Sequence, residues 1–143
     1  MMIDLSVINH AAVFVSAIIA FFVGWLWFSS ALFGNMWVKL NKFSKAHMNA
    51  AKKKGMKGMW SQMLLSFLSS VVMIYVLALL LVNVGATTIG AAVVLAFTVW
   101  LGFFAAIMIN MVLWEGKPFA LYLISVGHHL AVLVISAVIL VMW

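Results

Sequence analysis

Four long stretches of this chain carry almost no charge, and that limits the possible folds more than any motif does. The apolar runs lie near residues 8–33, 60–82, 89–113 and 119–142. A bilayer core of about 30 Å is crossed by about 20 apolar residues in helical form, and each run is long enough. Membrane-spanning strands would instead show segments of about 10 residues with alternating polarity, and no such alternation appears. The chain is 69% hydrophobic and 7% charged, too few charges to cover a water-facing surface. The expected fold class is therefore an all-α membrane protein with four transmembrane helices. It forms a single domain over 1–143, with helices near 8–37, 60–82, 89–113 and 119–142. The connections leave no room for a soluble domain. The N-terminus carries Asp4 and no Lys or Arg, and the first run is too long for a signal h-region, so it is expected to stay as a span. There is no cysteine, which excludes disulfides and thiolate metal sites.

Charge predicts orientation. Seven of the eight basic residues, Lys39, Lys42, Lys45, Lys52, Lys53, Lys54 and Lys57, fall in one segment. Lys and Arg near spans stay on the cytoplasmic side. The 38–59 segment is thus expected in the cytoplasm of a multi-pass protein of the cell inner membrane, with both termini outside. Trp37, Trp60 and Trp114 fall where an inner aromatic belt is expected. Each Lys near an anionic membrane surface contributes about 1 kcal/mol, so acidic lipid head groups are the expected partner of this segment. Nucleic acid is not, because the segment has no Arg and no stacking aromatic pattern. His47 reads as a solvated loop residue.

Small residues mark packing faces. Ala12, Ser16, Ala20 and Gly24 repeat every four residues in the first span, and Thr98, Gly102, Ala106 and Asn110 do so in the third. Such ladders let helix backbones approach closely in lipid. The first apolar pattern continues to Trp37, about 45 Å of helix at 1.5 Å per residue. It must tilt, emerge, or break near Ser29–Ser30 or Gly34. Trp25-Leu26-x-Phe28-x-x-Ala31-x-x-x-Asn35-Met36 matches the spacing of Trp100-Leu101-x-Phe103-x-x-Ala106-x-x-x-Asn110-Met111. Two readings stand: a parallel pseudo-repeat of two helix hairpins, or chance similarity of aromatic-rich helices. Under the repeat, Asn35, Asn110 and Glu115 form a polar cluster at the inner face.

The chemistry-bearing residues are few. His128 and His129 lie about 15 Å into the fourth span by helix rise, near mid-membrane, where an ionisable side chain raises a functional hypothesis. A neutral His that bonds across to a hydroxyl is the plainer alternative. Ser125 precedes the pair, and Ser66, Ser69 and Ser70 give the second span a polar side whose hydroxyls can bond to their own helix. A ligand or proton path predicts that Ser66, Ser69 or Ser70, Trp100 and His129 converge on one cavity. A bis-His haem finds no two His at one depth on different helices of one chain, though two subunits could contribute one His each. A catalytic zinc needs about three protein ligands. A Ser-His-acid arrangement has no acid nearby, since Asp4 and Glu115 lie at opposite faces. No cofactor, no metal and no catalytic residue are therefore expected.

The pattern Gly24-x-x-Trp27-Phe28-Ser29-x-x-Leu32-Phe33-Gly34-x-x-Trp37 resembles the signature of the bacterial domain-of-unknown-function 1761 family. Trp100-Leu101-Gly102-Phe103, Glu115 and Gly127-His128-His129-Leu130 fit the same family, so the resemblance covers nearly the whole chain. It implies a four-helix protein of a bacterial cytoplasmic membrane. It brings no established activity. Members usually carry Pro where this chain has Ser30, and often Tyr where it has His128, so His129 is the position that matches.

The expected function is a non-enzymatic membrane module that self-associates or binds a partner, as a homo-oligomer or a subunit of a membrane complex. The alternative is a small oligomeric transporter or channel for an ion, proton or small solute. An enzyme acting on lipid or quinone comes third.

Overall fold

The computed structural model describes residues 4–143, and among these the chain is helical throughout, without strands. Residues 1–3, at the end that the charge pattern puts outside, lie beyond the described residues. Asp4 opens the chain by accepting from the backbone N–H and hydroxyl of Ser6, which holds its carboxyl below the usual range. The helices are α1 (His10–Trp27), α2 (Gly34–Asn41), α3 (Lys45–Gly58), α4 (Trp60–Val84), α5 (Ile89–Leu113) and α6 (Phe119–Met142). α1, α4, α5 and α6 are long and apolar enough to cross a membrane.

Their starts follow from local chemistry. The side chains of Asn9, Ser44 and Thr88 accept the N–H groups of Ala12, His47 and Ala91, satisfying donors that a helix start leaves open. Gly85, at φ 71°, ends α4 in the left-handed conformation that favours glycine. The basic segment is helical as α3 but is interrupted at Gly55, whose φ of 57° and ψ of −167° belong to glycine.

α6 is the central helix. It lies along α1 on one side and α5 on the other, and α4 packs on α1 and α6. One apolar cluster joins Val13, Ala17 and Ala20 of α1 to Ile74 and Ala78 of α4 and Val132 of α6. A second joins Leu77 and Leu81 of α4 to Ala92 and Ala96 of α5 and Leu133 and Ala137 of α6. Ala12, Ser16 and Ala20 are buried along α1, so the first small-residue face is used within the chain. Near the start of α1, the His10 ring and the Tyr75 hydroxyl are hydrogen-bonded partners across α1 and α4.

α5 carries two small-residue faces. The inward one is Ala92, Ala96 and Ala105, with Trp100 half-buried between them. Leu101–Ala105 is π-helical, with Ala106 N–H bonding to Leu101 C=O. The wide turn lets the α6-facing series step from Trp100 to Ala105 and stay on one side. The Tyr122 hydroxyl donates to Ala105 C=O (2.9 Å), a carbonyl at the end of that turn. Tyr122→Phe removes this bond and is expected to lower stability by about 1 kcal/mol. Thermal unfolding in detergent measures it, and an unchanged midpoint would show the bond to be unimportant.

The hairpin repeat is not expressed in the packing. A two-fold axis along the membrane normal would make the α1–α6 and α4–α5 pairings equivalent. α1 runs along α6, whereas α4 meets α5 at only a few positions. Trp25, matched to Trp100 by spacing, is 70% exposed, while Trp100 is packed on α6. Spacing alone did not register the wide turn of α5, which rotates its later residues relative to those of α1.

Candidate functional site

Where α1 ends, the chain makes a tight turn and locks onto α6. Ser29 Oγ donates to Leu26 C=O (2.7 Å), covering a carbonyl left open by the helix end, and accepts from Ala31 N–H. Phe33 N–H bonds to Trp27 C=O (3.0 Å) and Gly34 N–H to Ser29 C=O (2.9 Å). The helical pattern over 8–37 is therefore divided at residues 28–33, with Ser30 inside the turn at the position where the resemblance expects Pro. A Cβ on Gly34 would lie 2.2 Å from Phe28 O and 2.6 Å from Ser29 O. Only glycine fits there, because both obstacles are backbone.

The turn is held to α6 by Trp27. Its indole N–H donates to Ile124 C=O (3.0 Å), and its ring lies where a Cβ on Gly127 would come within 3.2 Å of Cζ2. Reciprocally, a Cβ on Gly24 would lie 3.1 Å from His128 Nε2. The two glycines thus receive each other's aromatic neighbours across the α1–α6 contact. Phe33 packs on Trp27 at 4.8 Å between ring centroids, Phe28 on His128 at 5.1 Å, and Trp37 of α2 on Phe28 at 5.7 Å. From the other side, Trp100 of α5 donates its indole N–H to Val126 C=O (2.7 Å). Two indoles from two helices therefore hold one turn of α6 from two sides.

The His pair sits beside these anchors. His128 Nδ1 and His129 Nδ1 are 3.3 Å apart, and His129 meets Phe104 edge-on at 4.8 Å. His128 Nε2 is buried with no hydrogen-bond partner among the described residues, as are the hydroxyls of Ser16 and Ser136. Trp100 and His129 are both placed against α6, Trp100 by its bond to Val126 C=O three residues before His129, but the ring neighbours of His129 are Phe104 and His128.

The serines do not join them. Ser66 and Ser69 are exposed and Ser70 is half-buried. The hydroxyls of Ser69 and Ser70 bond to Leu65 and Ser66 C=O of their own helix, and Ser125 bonds to Leu121 C=O. A hydroxyl surrounded by lipid finds its nearest acceptor in its own backbone. The space between α4 and α5, about 430 Å³, is lined by apolar residues such as Met73, Leu77, Val99 and Phe103. Nor do Asn35, Asn110 and Glu115 gather: each is exposed, and no hydrogen bond links them among the described residues. The second ladder, Thr98, Gly102, Ala106 and Asn110, faces away from α6 and is exposed. The residues that sequence reasoning missed as anchors are Trp27, Phe33 and Tyr122. An indole or phenol inside an apolar span is the available signal, because its donor needs an acceptor there.

The fold and this lock define a helical protein with four membrane-spanning helices, closed at one end by an aromatic turn. Residues 11–141 match the family model described as Protein of unknown function (DUF1761), and the chain belongs to that family. Comparisons with curated proteins and with solved structures each gave no match.

Proposed function

We propose that this protein is a non-enzymatic, self-associating membrane module whose copies meet through the outward face of α5. One observation carries the reading. Thr98, Gly102, Ala106 and Asn110 form an exposed ladder of small residues on α5, and a Cβ at Gly102 would meet nothing within 4 Å. α5 is also the least covered span, with 17% of its most apolar window buried against 33% for α6. In lipid, helices associate by close backbone approach and by polar contacts across the seam. Thr98 already bonds to Val94 C=O and leaves no open donor. Asn110, at the inner end of the ladder, pairs with its counterpart in a symmetric dimer. Leu101 and Phe103, 52% and 69% exposed, flank Gly102 and add contact area.

A path for a solute has less support, because the serines serve their own helix and His128 is enclosed by Gly24, Trp27 and Phe28. The lysine bias supports a cell inner-membrane location with the 38–59 segment cytoplasmic and both termini outside.

Gly102→Leu holds two backbones apart. It is expected to weaken self-association at least about tenfold, a change of about 1.4 kcal/mol. Energy transfer between labelled copies in lipid vesicles measures this. Undiminished transfer would overturn the proposed face.

A further inference from the structure

A groove runs between α1 and α4 on the side away from α5. It is lined by Ile18 and Phe21 from α1 and by Trp60, Met63, Leu64 and Phe67 from α4, and its volume is about 270 Å³. None of these side chains is charged. The α4 residues follow helical spacing on one face. From Trp60 to Phe67 the groove extends about 10 Å along the helix, much of the half-thickness of a bilayer core of about 30 Å. Its mouth is at Trp60, which is 66% exposed and also borders a cavity with Met56 and Lys57.

The basic segment ends at that mouth. The interruption at Gly55 redirects residues 56–58 before the chain enters α4 at Trp60. The Lys54 stem passes over Gly58, where a Cβ would lie 2.7 Å from Lys54 Cβ, so the absent side chain makes room for it. An apolar slot that takes the first part of an acyl chain thus opens beside the exposed Lys57.

We infer that this groove holds one acyl chain of an anionic phospholipid, with Lys57 meeting its phosphate and Trp60 lying at the head-group boundary. Charge decides the occupant. The chain has a net charge of +6, and the segment bordering the groove carries seven of its lysines. In a zwitterionic lipid the phosphate is offset by the head group's own ammonium, which leaves the lysine charge unbalanced, and an apolar helix would leave it without a partner. The inference is independent of association through α5, which lies elsewhere on the molecule.

The test uses the intact protein in mild detergent, offered equal amounts of phosphatidylglycerol and phosphatidylethanolamine, with retained lipid counted by native mass spectrometry. One phosphatidylglycerol is expected to be retained in clear preference. Lys57→Gln is expected to lower that retention about fivefold, the loss of one lysine–phosphate attraction. Leu64→Trp, which fills the groove and leaves every charge in place, is expected to lower it similarly. Leu64→Phe serves as a milder filling variant. Lys45→Gln, away from the mouth, is expected to leave it unchanged. Equal retention of both lipids would overturn the inference. So would displacement by excess glycerol phosphate, which has no acyl chain. Groove-filling variants that leave retention intact, or that change copy number instead, would also overturn it.

Discussion

Gly34→Ala is expected to be the most damaging single-methyl change in the chain, lowering the thermal midpoint in detergent by about 10 °C. The added Cβ would sit 2.2 Å from Phe28 O and 2.6 Å from Ser29 O. No side chain can swing aside to relieve this contact, because both atoms belong to the main chain. The turn has to open. Opening it loses the bonds from Phe33 N–H to Trp27 C=O and from Gly34 N–H to Ser29 C=O. Overpacking costs about 1–3 kcal/mol, and each backbone bond lost adds about 1 kcal/mol. A total of about 3 kcal/mol corresponds to about 10 °C for a chain of this size. Gly90→Ala is the control, since a Cβ there meets nothing within 4 Å and the residue lies in the first turn of α5. If the two variants unfold at the same temperature, the turn is not under the constraint described here.

Gly127→Leu is expected to have an effect of similar size, about 3 kcal/mol. Its Cβ would meet Trp27 Cζ2 at 3.2 Å, and the rest of the leucine needs the space that the indole fills. The ring must leave, losing its bond to Ile124 C=O and its packing on Phe33. A double-mutant cycle separates this from general disorder. Trp27→Ala removes the ring, so adding Gly127→Leu to it is expected to cost much less than in the wild type. Residues in contact show such coupling, and independent ones add. Strict additivity would mean that the glycine and the indole do not share this space.

The two variants probe different levels of what the sequence disclosed. The spans were legible because a charge in a bilayer is costly enough to mark where the helices cannot be. A break after Trp27 was legible as a region, from the excess length and from Ser29, Ser30 and Gly34. Its mechanism was not, because the reason for Gly34 is a carbonyl brought close only by the folded turn. Trp25 and Trp27 could not be told apart by spacing, yet one faces outward and the other anchors α6. α5 offered small residues on two faces, and lipid and protein interior are both apolar, so composition could not choose between Ala92–Ala96 and Thr98–Gly102. The position of His128 along α6 followed from helix rise. Its enclosure by Gly24, Trp27 and Phe28 depends on contacts more than 90 residues apart in sequence.

The glycine- and aromatic-rich motif between Gly24 and Trp37 acquires a physical meaning from this lock. Gly24, Trp27, Phe28, Ser29, Phe33, Gly34 and Trp37 build the turn, and Gly127 receives it. They hold α1 and α2 against the central helix and leave the outward face of α5 free.

That free face is the central claim, and the absence of native cysteine makes it directly testable. Single cysteines are placed at Thr98, Gly102 and Ala106, with one at Phe22 on α1 as an exposed control. Oxidation is carried out in native membranes, and cross-linked dimer is read on a gel. Association through α5 predicts strong dimer at Gly102 and Ala106 and little at Phe22. Dimer at Phe22 with none at Gly102, or no dimer at any position on α5, would contradict it.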